Sequence, residues 1–159
     1  MHPEFGDLVK AAADAYGDEL SANQIVDIFN KEYVDYDGMY EIVSHAFMEK
    51  PRTKKGESQT TFEGDIKINN DITTHVHGVG NGPIDAFFNA MTKVGVENYE
   101  FINYHEHAIS QGSNSKAISY IELKKPDGKH IFGVGIDPNI NYASILGVLN
   151  AINRSLKIA

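Results

Sequence analysis

The 159-residue chain has no cysteine. That removes disulfides, thiolate nucleophiles and cysteine-type zinc sites together, and it fits a reducing compartment. Basic residues are scarce: 14 Lys and Arg stand against 22 Asp and Glu, a formal net charge of −8. Phosphate binding needs clustered cations, so no nucleic-acid partner is expected. The one basic cluster, KPRTKK from Lys50 to Lys55, contains Pro51 and runs into Gly56 and Glu57, and it reads as a solvated loop between strands. No apolar run is long enough to span a bilayer, so no membrane partner is expected either. The opening MHPEFGDLVKAAADAY carries early acids and lacks the basic region that precedes the apolar run of a secretory leader. The expected location is the cytoplasm.

What is present suits a folded domain with a small appendage: 42% hydrophobic and 23% charged residues. Phe5, Leu8, Val9, Ala12 and Tyr16 fall at helical spacing, and Gly17 is a natural stop. Ser21-Ala22-Asn23-Gln24 has the form of a capping box, followed by an apolar helix face of Ile25, Ile28, Phe29 and Tyr33. Residues 1–37 therefore read as a helical subdomain, too small to bury a core alone, which must pack on something else. Residues 38–159 form the main domain. Its pattern predicts strands over 40–47, about 62–68, 72–77, 101–109, 117–123 and 129–134, with helices from the glycine stretch to about Val94 and from about Asn141 to Ser155. Gly95 ends the first helix, and Pro126-Asp127-Gly128 is a turn.

This is βββα twice over, with repeats at about 39–95 and 98–155, an α+β class with pseudo-twofold symmetry and helices layered on a sheet face. HVHGVGNGP, from His75 to Pro83, aligns without gaps to HIFGVGIDP, from His130 to Pro138. The same register sets Ile66 on Ile121, Ile68 on Leu123, Phe87 on Tyr142 and Met91 on Leu146.

The glycine turns raise a question of chemistry. A helix that begins on permissive backbone, with Pro83 in its first turn, offers unpaired amides and a positive dipole end to an anion such as a carboxylate. A tight turn serving only helix–sheet packing is the plain alternative. Neither turn has the Lys-Ser/Thr pair of a P-loop or the third glycine and distant acid of a dinucleotide site. His75 and His77, like His105 and His107, form H-x-H pairs whose members share a strand face, a spacing that suits either a metal or a solvated strand. Glu106 points to the opposite face from the second pair. No nucleophile elbow and no motif-placed carboxylate pair is present.

Three strings, VGNGPIDAFFNAM, INYHEHAISQG and IFGVGIDPNINYASILGVLNAINR, resemble the C-terminal regulatory domain of 2-isopropylmalate synthase over about residues 39–155. PEFGDLVKAAADAYGDELSANQIVDIFNKEYV resembles the helical linker subdomain before that domain in the long form of the enzyme. The resemblance implies a βββα duplication that forms a homodimer and binds leucine at the dimer interface for feedback inhibition. It implies partnership with a catalytic barrel that condenses acetyl-CoA with 2-oxoisovalerate. That barrel, with its divalent metal, is not seen in this sequence, so no cofactor and no acyl-transfer activity are expected of this chain, whether an excised regulatory piece or a barrel-less paralogue. The positions implied for leucine are Gly80, Gly82, Ile84 and Asp85 at the first turn, then Phe101, Tyr104 and Ala108, then Ser115, and Ile136 and Pro138 at the second turn. Asp85 is read as favouring the helix start rather than meeting the ammonium group. Gly112-Ser113-Asn114-Ser115 departs from the family's G-x-D-A, and Phe101 is larger than the aliphatic residue expected. The competing readings are an isoleucine-sensing domain of a citramalate synthase, a ligand-free dimerisation module and a small metal-dependent enzyme built on the H-x-H pairs.

Overall fold

The computed structural model describes residues 22–34, 38–50, 59–109 and 115–156. The helix pattern at 5–16, Ser21 of the capping motif, turn residues 35–37, the basic stretch at 51–55 and residues 112–114 lie outside the described residues. Helix α1 spans Ala22–Phe29 and continues into a wider turn of π-type hydrogen bonding at Asn30–Val34. Strands β1 (Tyr40–Lys50), β2 (Gln59–Ile68) and β3 (Ile72–Gly80) form one antiparallel sheet in that order. Helix α2 (Pro83–Met91) follows and tightens into a 3-10 turn at Thr92–Val94. Strands β4 (Glu100–Ile109), β5 (Lys116–Lys124) and β6 (His130–Asp137) form a second antiparallel sheet, and helix α3 (Ile140–Ser155) completes the second unit.

Local chemistry sets these elements. On β2, Phe62 and Ile66 are buried beneath α2, while Glu63, Asp65 and Lys67 alternate toward solvent. Asn69 and Asn70 both take positive φ (52° and 56°) in the three-residue loop 69–71 that joins β2 to β3, a conformation asparagine tolerates better than most residues. Gly95 (φ 87°) ends the first helical run, and Gly128 (φ 86°) closes the hairpin between β5 and β6.

There are two sheets, each with its own helix. Phe87 and Met91 of α2 and Ile145, Val148 and Ile152 of α3 share one apolar core with Phe62, Ile66, Ile121 and Leu123 from both sheets. The start of the first unit is tied to the end of the second: Tyr40 N–H donates to Asn153 Oδ1 (3.0 Å) and Asn153 Nδ2 donates to the Tyr40 carbonyl (2.9 Å). The helical segment finds the support that its size demands. Ile25, Ile28, Phe29 and Tyr33 pack on Phe132, Val134 and Ile136, on the face of the second sheet away from α3.

The repeat is real, but its register differs from the gapless alignment. Phe62 pairs with Gly78 and Ser119 with Gly135. A Cβ on Gly78 would strike the Ala86 carbonyl and the Ala90 amide of α2; on Gly135 it would strike the Ala143 carbonyl and the Gly147 amide of α3. The helix N-caps are Gly82 and Asn139. Each second-unit residue lies 57 positions after its partner (135 less 78, 119 less 62, 139 less 82), not the 55 that set Gly78 on Gly133. Phe87 thus corresponds to Ser144, Met91 to Val148 and Ile66 to Leu123. The reason is geometric: a slip of two residues leaves every strand side chain on its original face, so alternation cannot detect it. The two GVG strings match because Gly133 serves a further close approach, to Gly147 and Ala151, that only the longer α3 makes. Each first strand also carries a register shift at the same place, around Val43 in β1 and Ile102 in β4.

Candidate functional site

The N-terminus of α2 opens on a cleft of about 230 Å³ between the two units, lined by Gly82, Pro83, Ile84 and Asp85, by Tyr104 and Glu106 of β4, and by Asn141 and Ser144 of α3. Gly82 is the N-cap, with extended backbone (φ −172°) and no side-chain cap. Pro83 has no N–H, and the Ala86 amide is used by the Gly82 carbonyl (3.0 Å). The amides of Ile84 and Asp85 have no partner within the helix. The corresponding end of α3 is closed by its own sequence, because Asn139 Oδ1 accepts from the Tyr142 amide at 3.0 Å. Asp85 Oδ2 accepts from the Asn81 amide at 2.9 Å. One oxygen of this carboxylate is thus engaged in shaping the turn.

Strand β4 is one of the two edges of its sheet and is exposed from Phe101 to Ala108. Pairing fixes its faces. Tyr104 and Glu106 sit opposite Ile121 and Ser119 on the helix side, while Asn103, His105 and His107 sit opposite Glu122, Tyr120 and Ile118 on the other. Phe101 and Tyr104 have ring centroids 5.7 Å apart. The second face borders a larger cavity, about 600 Å³, beneath Phe29 and Tyr33, with His105, His107 and Tyr120 in its wall. Among the described residues no group of three or more His, Asp or Glu is placed to hold a metal ion. His75 is instead held between two carboxylates, with Nδ1 2.9 Å from Asp65 Oδ1 and Nε2 2.8 Å from Glu63 Oε1.

Of the ten positions marked in the sequence, Gly82, Ile84, Asp85 and Tyr104 come together in the cleft. Gly80 supports it from behind, where an added Cβ would meet Asp85 Oδ2 and the Ala86 amide. Phe101 lies beside Tyr104. Ala108, Ser115 and Pro138 are exposed and outside the cleft lining. Ile136 packs beneath the helical segment, on the far side of the second sheet.

A sequence model of the LeuA allosteric (dimerisation) domain matches residues 19–156. The chain belongs to that family. It is 40% identical over 155 residues to the 2-isopropylmalate synthase of Clostridium acetobutylicum, which covers 98% of this chain and 27% of that protein. It is 37% identical over 156 residues to the enzyme of the same name from Pseudomonas entomophila (98% and 26%) and 38% identical over 155 residues to that of Brucella suis (97% and 27%). The chain thus spans about a quarter of the length of the curated relatives it matches.

Within this LeuA-type domain, four cleft residues escaped the sequence reading as site residues: Pro83, which it placed only as a helix-start residue, and Glu106, Asn141 and Ser144. Glu106 had a signal, since its face was legible from strand alternation. Ser144 had none, because the 55-residue register set Tyr142, not Ser144, opposite Phe87.

Proposed function

We propose that this domain senses leucine for feedback inhibition of a 2-isopropylmalate synthase, that it works as a homodimer, and that leucine seats in the cleft between α2 and β4. One observation carries the reading: a helix start without a side-chain cap meets the exposed strand β4 in a single cleft. The amides of Ile84 and Asp85 suit a carboxylate, aided by the helix dipole at about 0.3–1 kcal/mol. Ile84 and Tyr104, with Phe101 alongside, suit a branched aliphatic side chain. Phe101, Ile102 and Tyr104 are 38%, 42% and 46% exposed on that edge strand, an apolar flank suited to a second copy. Pairing of copies would also give the exposed Ala108, Ser115 and Pro138, which lie outside the cleft of one chain, a route to a neighbouring ligand. In the complete enzyme, leucine would inhibit by binding one of two conformational states more tightly.

Calorimetry with leucine, isoleucine and valine tests the ligand, and light scattering with leucine present tests the assembly. Leucine-selective heat and twice the 17.6 kDa chain mass are expected. Isoleucine-selective heat would move the domain to the citramalate synthase reading. Silence with all three amino acids would leave only a dimerisation module, and a monomer at tens of micromolar would remove the dimer.

A further inference from the structure

The geometry points to Glu106 as the acceptor of the ligand's ammonium group, so that the cleft selects a free α-amino acid over the 2-oxo acid of the same carbon skeleton. This rests on the amino-acid reading above and adds the group that enforces it.

Two carboxylates line the cleft. Asp85 Oδ2 accepts from the Asn81 amide, and among the described residues nothing bonds its Oδ1. This carboxylate sits on the α2 start itself, where the ligand carboxylate would lie, so Glu106 across the cleft is the one placed for the opposite end of a zwitterion. Glu106 Oε1 accepts from Ser144 Oγ at 3.1 Å, and among the described residues nothing bonds its Oε2. Among the described residues no Lys or Arg lines the cleft, so none of them gives Glu106 a countercharge there. An ammonium group bridging to Glu106 while the ligand carboxylate meets the α2 amides satisfies both ends of a zwitterion. A 2-oxo acid keeps the carboxylate but places a carbonyl oxygen against Glu106, where acceptor faces acceptor.

The duplication supplies an independent argument. Ser144 Oγ is 3.2 Å from Ser119 Oγ, so Ser119, Ser144 and Glu106 form a hydrogen-bonded chain, with both serines buried. The ladders place Phe62 where Ser119 stands and Phe47 where Glu106 stands, and the helix register places Phe87 where Ser144 stands. In the first unit those three rings form an edge-to-face chain, with centroids 5.4 Å and 5.1 Å apart. The same backbone is therefore compatible with an entirely apolar filling at these positions. Buried hydroxyls are a poorer filling than phenyl rings for stability alone. Their presence beside the cleft is explained by what they hold: a carboxylate aimed at a ligand. In this chain Glu106 touches the ligand and Ser144 is a positioning residue.

The experiment is calorimetry on the whole chain, with leucine and with 4-methyl-2-oxopentanoate, for the parent, Glu106→Gln and Ser144→Ala. The parent should bind leucine at least about a hundredfold more tightly than the oxo acid. Glu106→Gln should shrink that ratio at least about tenfold, with the oxo acid bound no more weakly than before. Ser144→Ala should shrink it by less. If the parent binds leucine and Glu106→Gln keeps the ratio, the ammonium assignment falls and the leucine reading stands. If the parent binds the two acids equally, the assignment falls without recourse to any variant. If neither produces heat with the parent, both readings fall.

Discussion

Phe62 and Ser119 occupy the same place in the two halves of this protein: each sits opposite a strand glycine, Gly78 or Gly135, that lies against the unit's own helix. Both are fully buried, one within an aromatic chain and the other within a hydroxyl chain. From that difference comes a stability prediction. Phe62→Ser copies the second unit's residue into the first and removes a ring from a close-packed core, at about 3–5 kcal/mol. Ser119→Ala breaks one buried hydroxyl contact and should cost about 1 kcal/mol. Urea denaturation of the two variants gives the comparison, and equal losses would contradict the structural assignment.

Gly78 and Gly82, four residues apart in the sequence, have opposite surroundings. Gly78→Ala drives a methyl into the Ala86 carbonyl and the Ala90 amide, so α2 must move away from β3. A loss of about 3 kcal/mol or more is expected. Gly82 is extended, and an added Cβ meets nothing within 4 Å. Gly82→Val should therefore keep the parent's melting temperature within a few degrees, while lowering leucine affinity about tenfold, or 1.4 kcal/mol, by crowding the α2 amides. Thermal melts with and without leucine read both effects, because a ligand of the native state raises Tm. Equal gains for parent and variant would reduce this turn to a packing element.

The His75 cluster predicts a pH profile. Its hydrogen bond to Asp65, then that to Glu63, raises the His75 pKa above its ordinary 6.5. The same His75 contact, then the Ser44 hydroxyl, lowers the Asp65 pKa below 3.8. The His75 contribution is complete below pH 6.5 and is lost as pH rises through the raised value; the Asp65 contribution is complete above pH 3.8 and is lost as pH falls through the lowered value. The cluster thus helps most between those limits. His75→Gln should flatten the fall in urea midpoint on the alkaline side of pH 6.5. A parent profile that is already flat there would refute the clamp.

Arg154 fastens the helical segment. Its Nε donates to Glu32 Oε1 at 3.0 Å, its guanidinium lies 4.3 Å from the Tyr33 ring centroid, and it also donates to the Phe132 carbonyl. With the Arg154 side chain only 9% exposed, these contacts are shielded from water. Arg154→Ala should destabilise the protein by about 2 kcal/mol and speed proteolysis of the helical segment at 22–34. Arg154→Lys should recover the charge but not the stacked, forked geometry. Cleavage at the parent's rate in Arg154→Ala would detach Arg154 from this role.

The sequence by itself determined the element order, because burial on one face writes a period of two into strands such as Phe62–Ile68 and a helical period into Ile25, Ile28, Phe29 and Tyr33. It determined that the chain is a duplication, and it marked Gly82, Ile84, Asp85 and Tyr104, which the fold brings together. Only the tertiary structure decided the register of that duplication, since a two-residue slip preserves every strand face and the helix–glycine contacts at Gly78 and Gly135 arbitrate. It alone put Ser144 and Glu106 beside the α2 helix start, because residues from different units meet through packing across the shared core, and a contact between Glu106 and Ser144 leaves no period in the chain that joins them.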